Sequence, residues 1–448
     1  MPTATPRPRS QPVAAEVRAT ADFLTRVFPE PRAFDIRFWD GTLIPGHGDR
    51  KLTVVINSPG SLRRMLRPPV ELSLGEAYLR GDFELEGEVW AAGPALEASR
   101  GVARSPQEML ALVRLWLALP SGAPANRGIG YGDAPARIEG EAHTREWDRA
   151  GIRYHYDAGN DFFALFLDRQ MVYSCAYVPT GAEDLDTAQV RKLDHICAKL
   201  RLRPGERFLD IGCGWGALVI HAAREYGVHA LGVTLSAQQH ELARRRVAEA
   251  GLEDRVEVRC LDYRDLRGER FDKAASIGMF EHVGRERLPE YFGEVFGLLA
   301  PGGLFLNHGI AGRSARAGGR WRALRRRLEP LLVGGSTFRK RYVFPNGGLV
   351  PVSEADLVAE ESGFEVRDVE NLREHYALTL RHWARRLEEN QDEARGVGGE
   401  GTYRLWRLYM GIAAWQFERG EFGLFQTLLE KPTGGASSLP LTRADLYV

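Results

Sequence analysis

The most regular pattern of apolar and polar positions lies in residues 207–239, RFLDIGCGWGALVIHAAREYGVHALGVTLSAQQ. A short apolar run ends at three glycines, and residues 217–226 continue with helical spacing. Residues 230–235 form a second apolar run, typical of a buried strand. The pattern predicts a strand, a glycine-rich turn, a helix and a second strand, which is half of a doubly wound sheet.

The same alternation continues along the chain and predicts an α/β fold with a largely parallel sheet. The predicted helices cover residues 237–250 and 287–299, and the predicted strands cover residues 256–260, 273–277 and 304–307. Residues 403–429 are rich in aromatic side chains and are predicted to be helical throughout. The fold class is therefore an α/β doubly wound sheet with helical C-terminal additions.

Changes in composition divide the chain into four parts. Residues 1–16 are rich in proline and alanine and are expected to be a disordered tail, without the apolar core of a signal peptide. Residues 17–120 mix short helical and alternating patterns and predict a smaller α+β module. Residues 121–141 are rich in Gly, Ala and Pro and form a predicted linker. Residues 142–448 then form the main domain.

Charge and cysteine usage exclude several classes of function. Lys+Arg and Asp+Glu are both 60, so no overall field attracts nucleic acid. The four cysteines lack C-x-x-C spacing, which argues against structural zinc and a disulfide framework, and no metal is expected. The apolar run at residues 109–119 is too short for a membrane span and contains Arg114. A reduced, cytoplasmic protein is expected.

The glycine turn indicates a cofactor site. Only glycine lets a backbone pass close under a ligand at such a turn. Asp210-x-Gly212-x-Gly214-x-Gly216 has an acid before the first glycine and lacks the third glycine at the dinucleotide spacing. This pattern resembles class I S-adenosylmethionine (SAM) methyltransferases.

Further motifs stand in one order on both sides of the turn. They are YHYD (154–157), GNDFF (159–163), YSCAY (173–177), GMFEHVG (278–284), NHGI (307–310) and YVFPNG (342–347). Together they resemble the cyclopropane fatty acid synthase family, which includes the mycolic acid cyclopropane synthases. The resemblance is dense from residue 152 onward and looser in the N-terminal module.

The resemblance implies a set of cofactor-binding residues. Tyr173 and Ser174 would lie beside the methionine part of SAM, with Gly212 and Gly214 under it and Asp210 on the cofactor side. The ribose would be near Thr234, Ser236 and Gln239, and the adenine near Tyr263. Residue 234 offers a hydroxyl where most SAM enzymes have an acid. For Ser236, which precedes a predicted helix, an N-cap role is a comparable alternative.

The family's reaction implies the catalytic residues. The sulfonium methyl is attacked by a cis alkene of an acyl chain, and the resulting carbocation must lose a proton before water reaches it. In the family the base is a bound bicarbonate, whose holders here would be Cys175, Glu281, His308 and Tyr376, with backbone groups near Gly278 and Ile310. Taken singly, each of these four side chains would be interpreted as a packing or surface residue. Phe162, Phe163 and Phe280 would line an acyl tunnel or simply pack in the core.

Several functions stay open at this point. The main expectation is cyclopropane formation on an unsaturated phospholipid acyl chain. If Glu146 takes a chain proton instead, the product is a methylene branch, and a flavin- or nicotinamide-dependent reductase would be a partner; the alternative for Glu146 is an exposed helix carboxylate. More distant alternatives are an amine N-methyltransferase and a lipid-binding protein without catalysis.

The basic insert at residues 313–341 contains a high density of arginine beside Trp321 and leucines. Such a segment suits peripheral contact with anionic phospholipid at the inner face of the membrane, at about 1 kcal/mol per basic residue. A solvated loop or a subunit contact, as in a homodimer, is the alternative.

Overall fold

The computed structural model describes residues 15–94, 105–122, 144–145, 147, 151, 158–313, 337–343, 348–437 and 439–446. The chain divides into two compact units, one of residues 1–131 with 326–335 and the other of residues 132–325 with 336–448. The domain limits predicted from composition stay a prediction. No described helix combines the length and apolar character needed to cross a membrane.

The first unit is α+β. Its four described strands form one sheet in the order β2-β1-β3-β4, with β1 at Asp35–Arg37, β2 at Leu43–Ile44, β3 at Leu52–Ile56 and β4 at Phe83–Gly87. Its helices are α1 (Ala15–Val27), α2 (Ser61–Met65), α3 (Val70–Leu79) and α4 (Pro106–Ala118). Helix α4 begins with a capping box, because Ser105 accepts from Glu108 N–H and the Glu108 side chain accepts from Ser105 N–H.

The second unit is built on a sheet with seven described strands in the order β10-β11-β9-β8-β5-β6-β7. These strands are β5 (Arg207–Ile211), β6 (His229–Thr234), β7 (Val256–Cys260), β8 (Phe271–Ile277), β9 (Leu299–Ala311), β10 (Glu365–Asn371) and β11 (Gly423–Glu430). Strands β5 to β9 pair in parallel, whereas β11 pairs antiparallel with both β9 and β10. The predicted α/β doubly wound class is confirmed.

Helices cover both faces of this sheet. They are α5 (Asn160–Ala164), α6 (Leu185–Leu200), α7 (Ala217–Tyr226), α8 (Ala237–Glu249), α9 (Phe280–Val283), α10 (Leu288–Leu298), α11 (Thr337–Tyr342), α12 (Val352–Glu361), α13 (Arg373–Glu389) and α14 (Gln391–Glu418). One core packs Phe208 of β5 against Ile196 and Val219 of α6 and α7. The other packs residues of β5 such as Leu209 against Phe292 of α10. Since side chains alternate along a strand, Asp210 shares the face of Phe208 and points toward α6.

The prediction of a helix throughout residues 403–429 is wrong for its last part. Helix α14 contains a non-helical Gly399 (φ +79°) and ends at Glu418, and residues 423–430 form β11. The chain turns at Gly420, whose φ of +69° a side chain would disfavour. Strand β11 lies inside the sheet between β9 and β10, so it is buried on both faces and its sequence does not alternate.

Candidate active site

A cleft opens at the carboxyl ends of β5, β6, β7 and β8, which is the usual ligand position in a doubly wound sheet. The turn after β5 forms its floor, with Gly212 and Gly214 at φ values of +81° and +53°. A Cβ on Gly214 would meet no atom within 4 Å, so this glycine borders open space. The backbone of the turn is thus accessible to a bound molecule.

Eight of the nine residues proposed for SAM line this one cleft. They are Tyr173, Ser174, Asp210, Gly212, Gly214, Thr234, Gln239 and Tyr263. Ser236 is absent from the described lining and accepts a hydrogen bond from Gln239 N–H (3.3 Å) as the N-cap of α8. Thr234 donates from its hydroxyl to the Gln239 side-chain oxygen at 2.8 Å. This arrangement supports the N-cap alternative for Ser236, and its role toward the ribose stays a prediction.

Two charged side chains lie buried in the cleft. Asp210 is 2% exposed, and its Oδ1 has no hydrogen-bond partner among the described residues. Burial raises the pKa of Asp210 to about 7, although the positive charge of Lys192 acts in the opposite direction. Lys192, also 2% exposed, donates to Ser174 Oγ at 3.0 Å, and burial lowers its pKa to about 8.

Glu281 lies beside the cleft, on the short helix α9. Its Oε1 accepts from Ile310 N–H at 2.7 Å, at a point of β9 beyond the last residue that pairs with β8. Its Oε2 is buried and has no partner among the described residues. Burial raises the pKa of Glu281 to about 7, because the backbone hydrogen bond from Ile310 only partly offsets the loss of hydration. One carboxyl oxygen is therefore available to a bound group.

His308 stands two residues before Ile310 on the same strand. Its Nδ1 is 3.1 Å from the Gln426 side-chain nitrogen, on the directly opposite residue of β11. Its Nε2 is buried and has no partner in the described structure. Burial lowers the pKa of His308 to about 3, so the imidazole is neutral at physiological pH. As placed, the Gln426 nitrogen donates to Nδ1, which leaves Nε2 to carry the proton.

Cys175 and Tyr376 both contact the backbone carbonyl of Leu372, a residue that is hydrogen-bonded to β11. The Leu372 carbonyl accepts from Tyr376 N–H (3.1 Å) and is 3.8 Å from Cys175 Sγ. Leu372 N–H in turn donates to the carbonyl of Leu424, which is the register partner of Ile310. Burial raises the pKa of the Cys175 thiol, which is therefore neutral. Cys175 and the backbone of Tyr376 thus contact a segment that pairs with this end of β11, and the joint role of the four side chains in holding an anion stays a prediction.

Some of the predicted features fall outside the described residues. These are Glu146, the YHYD motif at 154–157, residues 344–347 and residues 314–336 of the basic insert. The roles predicted for them stay predictions.

An aromatic cluster packs beside the cleft. Tyr173 lies 5.3 Å from Phe163 and 5.1 Å from Trp383 between ring centroids, and Trp406 lies 5.1 Å from Phe163. Phe162, Phe163 and Trp383 are fully buried. The Trp383 indole nitrogen has no hydrogen-bond partner among the described residues. The cluster provides a dry, apolar wall next to a residue of the cleft.

Sequence analysis missed three residues of this region. Lys192 stands in the middle of a helix where only its burial distinguishes it from a surface lysine. Gln426 was assigned to a helix, which hid its position opposite His308. Asp262 lines the cleft two residues after β7 ends. Burial would raise its pKa, but hydrogen bonds from Arg264 hold that pKa below its usual range. Its place one residue before Tyr263 was the available signal.

Two family models match parts of this chain. A family model described as mycolic acid cyclopropane synthetase matches residues 143–427. A second family model, for a domain of unknown function, matches residues 20–91.

Similar proteins include a probable fatty acid methyltransferase of Pseudomonas putida, 39% identical over 92% of this chain and 95% of the relative. A tuberculostearic acid methyltransferase of Mycobacterium tuberculosis is 32% identical over 93% of this chain and 92% of the relative. The cyclopropane-fatty-acyl-phospholipid synthase of Escherichia coli K12 is 37% identical over 62% and 66% of the two chains.

Among solved structures, the mycolic acid cyclopropane synthase CmaA1 complexed with SAH and CTAB superposes with a TM-score of 0.57. It is 33% identical, and the match covers 63% of this chain and 98% of that one. The family model matches residues 143–427, and the Pseudomonas putida relative is 39% identical over 92% of this chain. The protein therefore belongs to the mycolic acid cyclopropane synthetase family and is a SAM-dependent methyltransferase.

Proposed function

We propose that the protein transfers a one-carbon unit from SAM to the cis double bond of an unsaturated phospholipid acyl chain and closes a cyclopropane ring. Membership of the family supports the coarser statement, which is methyl or methylene transfer to fatty acyl chains. The observation that carries the finer proposal is the buried pair Glu281 and His308, each with one polar atom lacking a partner among the described residues.

The cleft residues fit SAM. Asp210 Oδ1 is buried and unpartnered in the described structure, and the position of a Cβ on Gly214 is open. When bound, SAM supplies an electrophilic methyl group on a sulfonium. Tyr173, Ser174, Gly212 and Gly214 would hold its methionine part, while Thr234, Gln239 and Tyr263 would lie along the nucleoside.

The buried pair fits a small anion. A carboxyl with a pKa near 7 retains its proton in part at neutral pH, so Glu281 can donate a hydrogen bond from Oε2. Neutral His308 can donate from Nε2, and Cys175 and Tyr376 would complete the surroundings of the anion. Bicarbonate held there would supply a base beside the reacting carbons. The residues' task is to orient that base and to share one proton with it.

The aromatic cluster suits a reaction that passes through a carbocation. The ring of Tyr173, which lines the cleft and packs on Trp383, would stabilise a nearby cation by about 0.5–2 kcal/mol. The buried phenylalanines around them exclude water, which would otherwise trap the cation as an alcohol.

A second product, a methylene branch, is favoured by a different observation. The relatives that align with more than nine-tenths of this chain are named fatty acid and tuberculostearic acid methyltransferases. If Glu146 takes a proton from the neighbouring chain carbon, the new methyl stays intact on a double bond of the chain. If a hydride first shifts between the two chain carbons, loss of a proton from the new methyl leaves the methylene branch. In either case a flavin- or nicotinamide-dependent reductase would complete the methyl branch. The proposal has three further parts: the acyl chain is carried by a phospholipid, residues 313–341 make peripheral contact with the membrane, and the protein forms a homodimer.

The origin of the departing proton and the presence of a double bond decide between the products. The enzyme is given a monounsaturated phospholipid and SAM with a trideuterated methyl group, and the lipids are analysed by mass spectrometry before and after treatment with ozone. Ring closure and methylene formation both remove one hydrogen from the new methyl and retain two deuteriums, but ozone cleaves the methylene and not the ring. Three retained deuteriums with loss of activity in Glu146→Gln, or an ozone-cleaved product with two deuteriums, would refute cyclopropane formation. Glu253→Gln, a change of an exposed carboxylate, is the matched control.

A further inference from the structure

Lys192 is a buried cation whose position the roles described above leave unexplained. It lies on α6 with 2% of its surface exposed, and it is one of the residues that line the cofactor cleft. Its hydrogen bond to Ser174 Oγ uses one of three N–H donors. A lysine ammonium removed from water is costly unless charged partners compensate it.

The nearby carboxylates do not pair with it directly. Asp168 already accepts from the N–H groups of Gln170 and Val172 at 2.9 and 2.8 Å. Asp210, the other acid of the cleft, has an unpartnered Oδ1. Within the described residues no ion pair of 4.0 Å or less joins Lys192 to either acid. The cleft therefore presents a lysine and an acid that are buried together without an ion pair between them.

A ligand that carries both charges would compensate them both. The amino-acid end of SAM is such a zwitterion, with an α-carboxylate and an α-ammonium on one carbon. Both Lys192 and Asp210 lie beside Ser174, Gly212 and Gly214, where the methionine part is proposed to bind. Charge-assisted hydrogen bonds at a desolvated site are the strongest available to such a head group.

We propose that Lys192 binds the α-carboxylate of SAM and Asp210 its α-ammonium, so that the cleft selects cofactors with an intact zwitterion. The inference rests on the cofactor site of the proposed function and is independent of whether the lipid product is a ring or a branch. Lys192 is on this view a specificity-determining residue for the methyl donor.

The wild-type protein provides the first test. Calorimetric titration compares SAM, decarboxylated SAM and 5′-methylthioadenosine, which lacks the whole amino-acid part. We expect decarboxylated SAM to bind about 30-fold more weakly than SAM, as loss of a charge-assisted hydrogen bond implies. Equal affinity for SAM and decarboxylated SAM would overturn the proposal, and this comparison requires no variant to fold.

Two variants locate the effect. Lys192→Met is expected to lower the affinity for SAM to that of decarboxylated SAM, with 5′-methylthioadenosine bound as by the wild type. Lys192→Arg retains the charge and is expected to retain a preference for SAM. If Lys192→Met weakened all three ligands equally, the lysine would only support the Ser174 segment and the proposal would fail. Since no acyl substrate is present, this failure is distinct from failure of the proposed lipid chemistry.

Discussion

Replacing Glu281 by glutamine is expected to stabilise the folded protein while abolishing turnover. Burial raises the pKa of the Glu281 carboxyl from 4.5 to about 7, because the folded protein desolvates the charged form. One pKa unit corresponds to about 1.4 kcal/mol, so ionised Glu281 costs the folded state about 3 kcal/mol above about pH 7. Glutamine has nearly the same shape, keeps an oxygen for Ile310 N–H and cannot ionise.

The sign of the effect follows from linkage. The folded state binds the Glu281 proton more tightly than the unfolded chain, so protonation stabilises the fold fully below about pH 4.5. This stabilisation is lost as the pH rises through about 7. The variant and the wild type should therefore be equally stable at about pH 4, and the variant should gain up to about 3 kcal/mol by about pH 8.

Urea unfolding at a series of pH values measures this difference. Glu253→Gln, which changes an exposed carboxylate, is the control and should leave the unfolding midpoint unchanged at each pH. Cofactor titration and turnover are measured on the same samples, because the expected variant binds SAM but is inactive. The inference that burial desolvates the Glu281 carboxyl would be refuted by a variant no more stable than the wild type at about pH 8. A gain in stability that is independent of pH would refute it as well.

Three further predictions follow from other parts of the site. Gly214→Val should abolish SAM binding in a calorimetric titration, whereas Gly205→Val, at another positive-φ glycine with open space around it, should retain it. His308→Ala should keep its affinity for SAM but lower turnover about 100-fold, and bicarbonate-free buffer should slow the wild type. Unchanged rates in both tests would indicate that the base is a side chain. Gly232→Ala should lower stability by about 1–3 kcal/mol in urea unfolding, because a Cβ there would lie 2.8 Å from Cys213 Sγ; an unchanged midpoint would contradict this.

The central elements of the fold could be predicted because their sequence periods are local. Strand β7 was predicted with the observed limits, and helix α7 likewise, since each has a clear apolar period bounded by polar or glycine residues. Strand β11 was mistaken for helix because the apolar residues of its sequence, GLFQTLLE, come in two pairs four residues apart and do not alternate, which is a spacing that also suits a helix. Strand β10 was missed because its seven residues include three acids and an arginine.

The site could be predicted only in part. The glycine turn and the motif residues were found because they are recognisable along the chain. Lys192 and Gln426 could not be found in this way, because their importance depends on residues that are distant in sequence. Lys192 lines the same cleft as the acid Asp210, and Gln426 is hydrogen-bonded to His308. Pairing between β9 and β11 depends on contacts more than 100 residues apart in sequence, which no local period encodes.

The position of β11 between β9 and β10 has a consequence for synthesis on the ribosome. The cofactor turn after β5 is translated about 200 residues before β11, and domains tend to acquire structure as they emerge. A nascent chain that has not yet produced β11 lacks the partner strand of His308 and Ile310 and leaves β9 with an unpaired edge. Such a chain can have formed the strands around the glycine turn, but it has no completed surroundings for Glu281. If Glu281 and His308 act as proposed, turnover requires the last strand of the sheet to be in place.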